Sequence, residues 1–455
     1  MEKVENLILG AGISGISASF HIGHDKCLLL EKNNYSLGIL QSENINGFTW
    51  DQGPHVSFTK HDYVKNLFAK NTDNEFYEHE VSPSSYYNGL WIDHPVQSNL
   101  YQLPDDIKKK CVDSFLHQRT FNESDVKLDN YSDWLKFSLG DEITERFVSA
   151  YTRKYWTVDP VNLTTDWIGP RVHIPDTDEF LSGASKKQKK SSHYITKVRY
   201  PIQGGYQSFV ELMTKGANVY KNHNIVNIDL KNKIVKCKNG KEFGYKKLIS
   251  TIPLPVFVSL IDSLKEDIKI AASKLSCSKL LLVNVEIPHK ISNKEHWLYV
   301  YDEDKYTTRI TIMDNLSEYN SPKDTTAAQV EIYFSENLPS KDECEKISKK
   351  VISELFEMKI IKNDFLIDDI NYHNRCLEYA NVIFNHDRRP SLEIILDALT
   401  EYGYVRKHDD LEALTDWKNH PKPRGEIFLL GRFGEWKYYW SDDCVMAGKL
   451  YEDLS

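Results

Sequence analysis

Residues 7–15 read Leu-Ile-Leu-Gly-Ala-Gly-Ile-Ser-Gly, and residues 27–31 read Cys-Leu-Leu-Leu-Glu. Each apolar run predicts a short buried strand, and the segment between them predicts a glycine turn that opens a helix. In such a turn Gly10 permits the tight bend, Gly12 lets a pyrophosphate approach the backbone, and Gly15 lets the helix pack closely on the strand. The stretch therefore predicts a unit of strand, turn, helix and strand that can hold a phosphate group.

The acid that ends the second apolar run indicates a dinucleotide ligand. Glu31 follows Gly10 by 21 positions, where a carboxylate can accept hydrogen bonds from the adenosine ribose hydroxyls. Ser14 belongs to the first helical turn, whose N–H groups face the phosphate. An ordinary glycine-rich turn is the alternative, but it leaves the spacing of Glu31 unexplained. The residues predicted here to bind the cofactor are Gly10, Gly12, Ser14, Gly15, Glu31 and Lys32.

Length and composition indicate the class of protein. The chain has 455 residues, more than the roughly 250–300 at which one core stops growing, so two or three domains are expected. A net charge of -9 argues against a nucleic-acid binder, whose affinity would need a basic face. No apolar run approaches the ~18 residues of a membrane span, and the first strand begins close to Met1. We therefore expect a cytoplasmic protein with no transmembrane segment.

The cysteines and one basic cluster give weaker indications. Seven cysteines are scattered without Cys-x-x-Cys spacing, which predicts reduced thiols, no disulfide framework and no metal site. The dense basic cluster at residues 186–190 predicts a solvated loop. Its alternative is a mobile lid that approaches phosphates.

The segment after the acid changes the expected ligand to a flavin. Gly38 lies in a polar loop, and the pattern Asp51-x-Gly-x-His55 follows it. This order of acid, glycine-containing loop and Asp-x-Gly-x-His resembles flavoproteins of the amine oxidase, protoporphyrinogen oxidase and UDP-galactopyranose mutase superfamily. The resemblance implies FAD as the cofactor, with Gly38 and His55 in contact with it. Those proteins usually carry Gly-Gly after the acid, whereas this chain has Leu37-Gly38.

Two internal segments resemble the mutases of this superfamily. Residues 151–160 read Tyr-Thr-Arg-Lys-Tyr-Trp-Thr-Val-Asp-Pro, and the resemblance implies that Trp156 lies by the uridine and that the later Arg171 reaches the substrate phosphate. Residues 306–310 resemble a segment that supplies a second phosphate-binding arginine, here Arg309. A guanidinium fork suits a diphosphate because it binds two oxygens at once. The alternative for each residue is structural: core packing for the tryptophan, surface ion pairs for the arginines.

A third segment near the carboxyl end carries the same resemblance. Residues 427–442 predict an apolar strand, a glycine turn and a helix-like run, which offers the cofactor another helix N-terminus. They are similar to the mutases' pattern of Gly-Arg followed by an aromatic residue and Lys-Tyr. The resemblance implies that Gly431 and Arg432 lie by the flavin and that Trp436 and Tyr438 contact substrate.

Two site predictions come from the middle of the chain. Residues 199–206 contain the Tyr-Pro and Gly-Gly element with which this superfamily returns to its flavin domain, and Tyr206 is predicted to contact substrate. Residues 224–228 and 233–237 alternate like a hairpin. By resemblance, Val226 would lie against the adenine edge.

These patterns predict an α/β fold, α+β overall, with a Rossmann-like FAD-binding domain, a helical insertion and an antiparallel-sheet substrate domain. A hairpin is expected at residues 86–95 within the helical part. Strand-rich runs without intervening helices between about 275 and 335 predict the antiparallel sheet. The predicted ranges are 1–65, 193–270 and 421–455 for the FAD-binding domain, 66–192 for the mostly helical substrate or cap domain, and 271–420 for the antiparallel-sheet substrate domain.

Two reactions follow from the resemblance. The first is a mutase-like conversion of a nucleotide-activated sugar, in polysaccharide biosynthesis, between pyranose and furanose forms through reduced flavin. Its catalytic residues would be His55, Arg171, Arg309 and Tyr438. The second is a net oxidation of amine oxidase or protoporphyrinogen oxidase type. It stays open because the mutases have an Asp two residues beyond the tyrosine, where this chain has Trp440 and places the acid at Asp442. A flavin-binding scaffold without turnover is a third alternative, and a homodimer is an open prediction.

Overall fold

The computed structural model describes residues 1–121, 124, 126–188 and 195–454. Part of the basic cluster at 186–190 and the predicted domain boundary at 192/193 lie outside these residues. None of the helices in the described part of the chain combines the length and apolar character that a membrane crossing requires.

The described part of the chain contains runs of strands and runs of helices. The strands are β1 (Glu2–Leu9), β2 (Cys27–Leu30), β3 (Ser42–Ile45), β4 (Phe48–Asp51), β5 (Phe76–Glu80), β6 (Pro83–Tyr87), β7 (Leu90–Asp93), β8 (Lys197–Pro201), β9 (Val219–Tyr220), β10 (Ile225–Asp229), β11 (Ile234–Cys237), β12 (Glu242–Ser250), β13 (Cys277–Ile287), β14 (Trp297–Val300), β15 (Arg309–Ile312), β16 (Thr326–Phe334), β17 (Asn371–Val382) and β18 (Ile427–Leu429). The α-helices are α1 (Ile13–Ile22), α2 (Asp62–Asn71), α3 (Asp105–Gln118), α4 (Tyr131–Leu139), α5 (Asp141–Ile143), α6 (Ala150–Tyr155), α7 (Thr177–Ser185), α8 (Leu254–Ser259), α9 (Glu266–Ser273), α10 (Met313–Leu316), α11 (Lys341–Glu357), α12 (Arg388–Thr400) and α13 (Ser441–Lys449).

The first sheet contains the predicted nucleotide-binding unit. Its strand order is β10-β11-β12-β1-β2-β9, with β18 paired to β12. The centre is parallel, since β1 pairs in parallel with both β2 and β12. Leu7, Ile8 and Leu9 are fully buried, as expected of a parallel strand that is covered on both faces. The predicted strands at 7–9 and 27–30 are therefore present at the middle of this sheet.

The second sheet is the predicted antiparallel one, and it is larger than the sequence indicated. Its order is β17-β13-β16-β15-β14-β6-β7. The predicted hairpin at 86–95 forms β6 and β7, and β6 joins this sheet through a parallel pair with β14. The range 66–192 therefore supplies two strands to the second sheet in addition to its helices. With its parallel and antiparallel sheets and its helices, the structure confirms the predicted mixed α/β fold class.

A buried junction holds the end of β4 against the second sheet. The side-chain amide of Gln329 on β16 donates a 2.7 Å hydrogen bond to the carbonyl oxygen of Asp51, at the end of β4. The carboxylate of Asp51 in turn accepts from the hydroxyl of Tyr200 and the backbone N–H of Tyr206. This buried junction fixes the loop after β4, which carries His55 on the cavity wall.

Candidate functional site

The main cavity lies between the two sheets and has a volume of about 490 Å³. Its walls come from the ends of β1 and β2, the loops after β2 and β4, strands β13, β15, β16 and β17, and the turn before α13. Residues from both ends of the chain therefore share one space. The predicted site residues that line it are Gly10, Gly12, Ser14, Glu31, Lys32, Gly38, His55, Arg309, Arg432 and Tyr438.

The glycine turn has the geometry that a pyrophosphate needs. Gly10 has a φ of 94°, a conformation that side-chain-bearing residues rarely adopt. A Cβ on Gly15 would lie 2.1 Å from the carbonyl oxygen of Gly10, so only glycine allows α1 to approach β1 this closely. A Cβ on Gly12 would meet nothing within 4 Å, because this residue faces the open cavity at the N-terminus of α1. The turn fits the phosphate end of FAD.

Glu31 is positioned by two backbone groups. Its Oε2 accepts from the N–H of Ala11 and its Oε1 from the N–H of Asn33, both at 2.9 Å. The side chain is only 6% exposed, yet the residue lines the cavity. Each carboxylate oxygen has a second lone pair, so Glu31 can still accept from ribose hydroxyls.

The loop after the acid shows how this chain manages without the Gly-Gly pair. Leu37 takes a left-handed conformation with a φ of 73° and is 5% exposed. Its N–H donates a 2.7 Å hydrogen bond to the carbonyl of Ala11. A Cβ on Gly38 would lie 3.3 Å from the Cα of Gly12. Burial of the leucine side chain and this hydrogen bond offset a conformational cost of about 1 kcal/mol.

The carboxyl-terminal Gly-Arg turn meets the amino-terminal helix at the cavity. Gly431 has a φ of 87°, and a Cβ there would lie 2.2 Å from the hydroxyl oxygen of Ser14. Arg432 donates from Nε to the carbonyl of Tyr439 and from NH1 to the carbonyl of Ala380 on β17. The turn therefore ties the first sheet, the second sheet and α1 together around one space.

His55 is a neutral ring with a defined tautomer. Burial, followed by the positive charge of Arg432, lowers the pKa of His55 to about 4. Its Nδ1 lies 2.9 Å from the carbonyl oxygen of Gly53, which can only accept, so Nδ1 carries the proton and Nε2 the lone pair. His55 can therefore accept a hydrogen bond from a ligand in the cavity.

A second cavity, of about 190 Å³, adjoins the first. Four side chains belong to the walls of both cavities: Tyr155, Tyr299, Arg309 and Tyr438. The second cavity is otherwise lined mainly by aromatic rings. The predicted substrate residues Trp156 and Arg171 also lie on its wall. Four of the predicted substrate residues are thus brought together: Trp156, Arg171, Arg309 and Tyr438.

Aromatic rings hold Arg171 in place. Its guanidinium carbon lies 4.2 Å from the ring centroid of Tyr438 and 4.5 Å from that of Trp440. Its NH1 donates a 3.1 Å hydrogen bond to the carbonyl of Trp167. Trp440 therefore helps to orient this cation by stacking.

Arg309 is already paired with a carboxylate. Its Nε and NH2 donate to the two oxygens of Glu331 at 2.7 and 2.8 Å, and Glu331 is fully buried. The hydroxyl of Tyr333 donates to the same carboxylate. Burial alone would lower the pKa of Arg309, but the charge of Glu331 outweighs it and raises that pKa above its usual value. The pair presents less net positive charge to the cavity than a lone arginine would.

Three predicted residues lie elsewhere. Tyr206 is fully buried, with its hydroxyl 2.6 Å from that of Ser441, so it supports the wall instead of touching substrate. Trp436 is also fully buried, and its carbonyl accepts from the guanidinium of Arg388. Val226 is 47% exposed, while its neighbour Ile225 lines the cavity because successive residues of a strand face opposite ways. None of these three residues lines either cavity, so the structure does not support the substrate role of Tyr206 and Trp436 or the adenine role of Val226, which stay predictions.

Gly15 and Gly431 do not line the main cavity. They allow the close contacts described above, which support its wall.

Sequence reasoning missed Glu331, because it is brought opposite Arg309 only by the register of β15 and β16. It also missed Tyr155, although this residue lies inside the quoted 151–160 segment, and Tyr299, which stands in an ordinary strand pattern.

One group in the described residues has the side chains that metal ions use. Ligand atoms of His61, Asp442 and Asp443 lie within 4.8 Å of one another. Asp443 already accepts hydrogen bonds from the indole of Trp417 and the backbone N–H of Trp440. Both acids also lie in the first turn of α13, where the helix dipole favours anions. A helix cap explains this arrangement without a cation.

The glycine turn, Glu31 and the Gly431-Arg432 turn surround one cavity, an arrangement that suits a bound FAD. The sequence profile of the flavin containing amine oxidoreductase family matches residues 13–378, most of the chain, and the protein belongs to that family.

Solved structures show the same fold. The chain is similar to a reduced UDP-galactopyranose mutase, with a TM-score of 0.87 and 20% identity over 99% of this chain and 95% of that one. A putative protoporphyrinogen oxidase from Exiguobacterium sp. 255-15 gives a TM-score of 0.71 and 14% identity over 100% and 98% of the two chains. A redesigned putrescine oxidase gives 0.60 and 12% over 98% of each. The predicted superfamily and FAD cofactor are confirmed, and the protein is a FAD-dependent enzyme of the amine oxidase superfamily.

Proposed function

We propose that this enzyme acts on a nucleotide-activated sugar and interconverts its pyranose and furanose forms. The observation that carries the proposal is the second cavity, which places Trp156, Arg171, Arg309 and Tyr438 together and shares a wall with the cofactor cavity. An aromatic cavity with arginine on its wall suits a nucleotide, because the rings can stack on a base and the guanidinium can pair with phosphate.

The cofactor would be held by the residues that surround the main cavity. We propose that the glycine turn and the N-terminus of α1 bind the pyrophosphate, Glu31 the ribose, and His55 and Arg432 the flavin. Bound and reduced, FAD supplies the electron pair that the ring interconversion requires. The neutral His55 ring would accept a hydrogen bond there without adding charge.

The protein's own part in the reaction is to bind and orient the leaving diphosphate. Arg171, stacked between Tyr438 and Trp440, presents a fixed cation, and Tyr438 can donate from its hydroxyl. Charge develops on the diphosphate as it departs, so cations already in place should count most at that stage. We further propose a cytoplasmic enzyme of polysaccharide biosynthesis, with homodimer formation still to be tested.

The Arg309–Glu331 pair favours a second candidate, the net oxidation of a less charged substrate. Because the guanidinium of Arg309 is paired with the carboxylate of Glu331, Arg309 offers less positive charge to a diphosphate. An aromatic second cavity with one stacked arginine also suits a substrate that carries a single anionic group.

A flavin experiment separates the two reactions. The purified enzyme is mixed with a panel of nucleotide sugars, once oxidised and once after dithionite reduction, and the products are identified by chromatography and mass spectrometry. The mutase proposal expects a ring-size isomer from the reduced enzyme alone, with no net redox change. Stoichiometric bleaching of the oxidised flavin by substrate would instead support the oxidation.

Replacement of Arg309 tests the diphosphate site. If the mutase assignment is right, Arg309→Ala should lower turnover by about 100-fold or more, as removal of one charge-stabilising donor typically does, while FAD stays bound. Turnover and flavin absorbance are measured on the same preparation, and Arg153→Ala, which removes a surface arginine, is the control. Near wild-type turnover of Arg309→Ala on the true substrate would contradict the assignment.

A further inference from the structure

Two thiols meet on the outer side of the second sheet. Cys344 lies in the first turns of α11, and Cys376 lies on β17, an edge strand of that sheet. Their sulfur atoms are 3.8 Å apart. A disulfide bond has an S–S distance of about 2 Å, so the two sulfur atoms would have to approach each other by roughly 2 Å. Rotation of the cysteine side chains can supply a movement of that size.

Neighbouring contacts hold α11 and β17 in this relation. The hydroxyl of Tyr372 donates to Glu345 at 2.6 Å, and the hydroxyl of Ser348 donates to Asn374 at 2.8 Å. Positions 372, 374 and 376 alternate onto the same face of β17. The contact between helix and strand therefore includes three side-chain pairs, of which the cysteines are the third.

The two thiols differ in access to solvent. Cys376 is exposed, whereas Cys344 is 5% exposed. Burial, followed by the neighbouring Cys376, raises the pKa of Cys344 to about 11. An oxidant in solution would therefore meet Cys376 first and find Cys344 behind it as the second thiol.

We propose that Cys376 and Cys344 form a reversible thiol–disulfide site that responds to hydrogen peroxide. Peroxide oxidises the Cys376 thiol to a sulfenic acid and leaves as water. The Cys344 thiol then attacks that sulfur, the S–S bond forms, and the oxygen departs as a second water. A dithiol such as dithiothreitol or reduced thioredoxin returns both electrons and restores the thiols. All seven cysteines are free in the structure, as the sequence predicts, and the proposal concerns what an oxidant does to two of them.

The position of the pair connects it to the flavin cavity. β17 continues from Cys376 into Leu377, Tyr379, Ala380 and Asn381, all on the cavity wall. The carbonyl of Ala380 accepts from Arg432 of the Gly-Arg turn. A bond at Cys376 would anchor one end of this wall strand to α11, so we expect oxidation to change the environment of the bound flavin.

The test uses the FAD-loaded full-length enzyme. The protein is reduced, freed of reductant, exposed to hydrogen peroxide and digested without reductant for peptide mass spectrometry. We expect a peptide that joins Cys344 to Cys376, a fall in free thiols from seven to five in denaturant, and reversal by dithiothreitol. Flavin fluorescence of the crosslinked form should differ from that of the reduced form.

Variants separate this site from other thiol chemistry. Cys344→Ser should leave Cys376 to proceed to sulfinic acid, and Cys376→Ser should abolish the response. The control Cys277→Ser, at a partly exposed cysteine on β13, should crosslink like the wild type. Overoxidation of Cys376 in the wild type, a crosslink only between two chains, or unchanged thiols would each overturn the proposal.

Discussion

The two cavities are built in different ways. The main cavity depends on backbone positions that exclude side chains: Gly10, Gly12 and Gly15 at one end of the chain and Gly431 at the other occupy positions where a Cβ would strain the chain, collide or enter the cavity. The second cavity is shaped by side chains, chiefly aromatic rings with Arg171 and Arg309. Backbone geometry leaves little freedom for substitution, whereas a wall of side chains can change its specificity one residue at a time. The difference explains why this chain shares a fold with enzymes of several activities at 12–20% identity.

The largest effect on stability is expected at Gly15, where α1 contacts the backbone of the glycine turn. Gly15→Ala would place a methyl group 2.1 Å from the carbonyl oxygen of Gly10, so the free energy of unfolding should fall by about 3 kcal/mol or more. Thermal denaturation and the flavin content of the purified protein measure this. Gly12→Ala is the matched control, because its methyl group meets nothing within 4 Å and should weaken FAD binding without lowering the stability of the apoprotein. Equal unfolding temperatures of the two apoproteins would contradict the distinction.

Among the side chains around the second cavity, the largest effect on stability is expected from the buried Arg309–Glu331 ion pair. Glu331→Gln leaves Arg309 with a charge that is no longer balanced, and we expect a loss of about 3 kcal/mol in unfolding free energy with FAD still bound. Glu303→Gln is a close control: Arg153 contacts Glu303 with the same 2.7 and 2.8 Å geometry, but on the surface. That change should cost about 0–1 kcal/mol in urea denaturation. Similar losses in both variants would show that burial of the pair is unimportant.

A loss of stability at acid pH is expected from His55. The pKa of His55 in the folded protein, about 4, is lower than its ordinary value of 6.5. The stability that depends on a neutral ring is therefore fully present above pH 6.5 and is lost as the pH falls towards 4, by about 2 kcal/mol after allowance for partial exposure. Denaturation of the wild type and His55→Gln at pH 7.5 and 4.5 measures this. The variant should lose less stability on acidification, and an identical loss would contradict the assignment.

The smallest effect on stability is expected at Glu31, the acid proposed to bind the ribose. Glu31→Gln replaces one carboxylate oxygen with an amide, so either Ala11 or Asn33 loses its acceptor, at a cost of about 1 kcal/mol. FAD affinity, measured by fluorescence titration of the apoprotein, should fall by roughly five- to tenfold if the ribose uses the same carboxylate. The exposed Glu5→Gln serves as control, and unchanged affinity in Glu31→Gln would remove the ribose role.

Sequence reasoning reached the cofactor side because that side follows local rules. The spacing of Gly10, Gly12 and Gly15 and the distance to Glu31 describe one continuous unit, and the structure contains it. The Leu37-Gly38 departure could be seen in the sequence, but its resolution could not. Only the fold shows that the leucine adopts a left-handed conformation with its side chain buried.

Less of the second cavity can be predicted from the sequence, because that cavity depends on pairing between distant segments. The register of β15 on β16 that sets Glu331 against Arg309 cannot be read from either strand alone. At β10, Ile225 and not the predicted Val226 lines the main cavity, since which face of a strand meets a cavity is set by the fold. Tyr206 and Trp436 do not line either cavity, because an aromatic residue in a site motif can equally serve as packing behind the wall.

The packing of α13 against α1 has a consequence for assembly in the cell. The hydroxyl of Ser17 donates to the carbonyl of Val445, and a Cβ on Gly448 would lie 2.3 Å from that hydroxyl oxygen. These partners are separated by more than 400 residues of chain. A growing polypeptide emerging from the ribosome carries the glycine turn long before it carries the segment that encloses it. FAD should therefore be captured only after translation has passed α13, and an amino-terminal fragment made alone should emerge colourless.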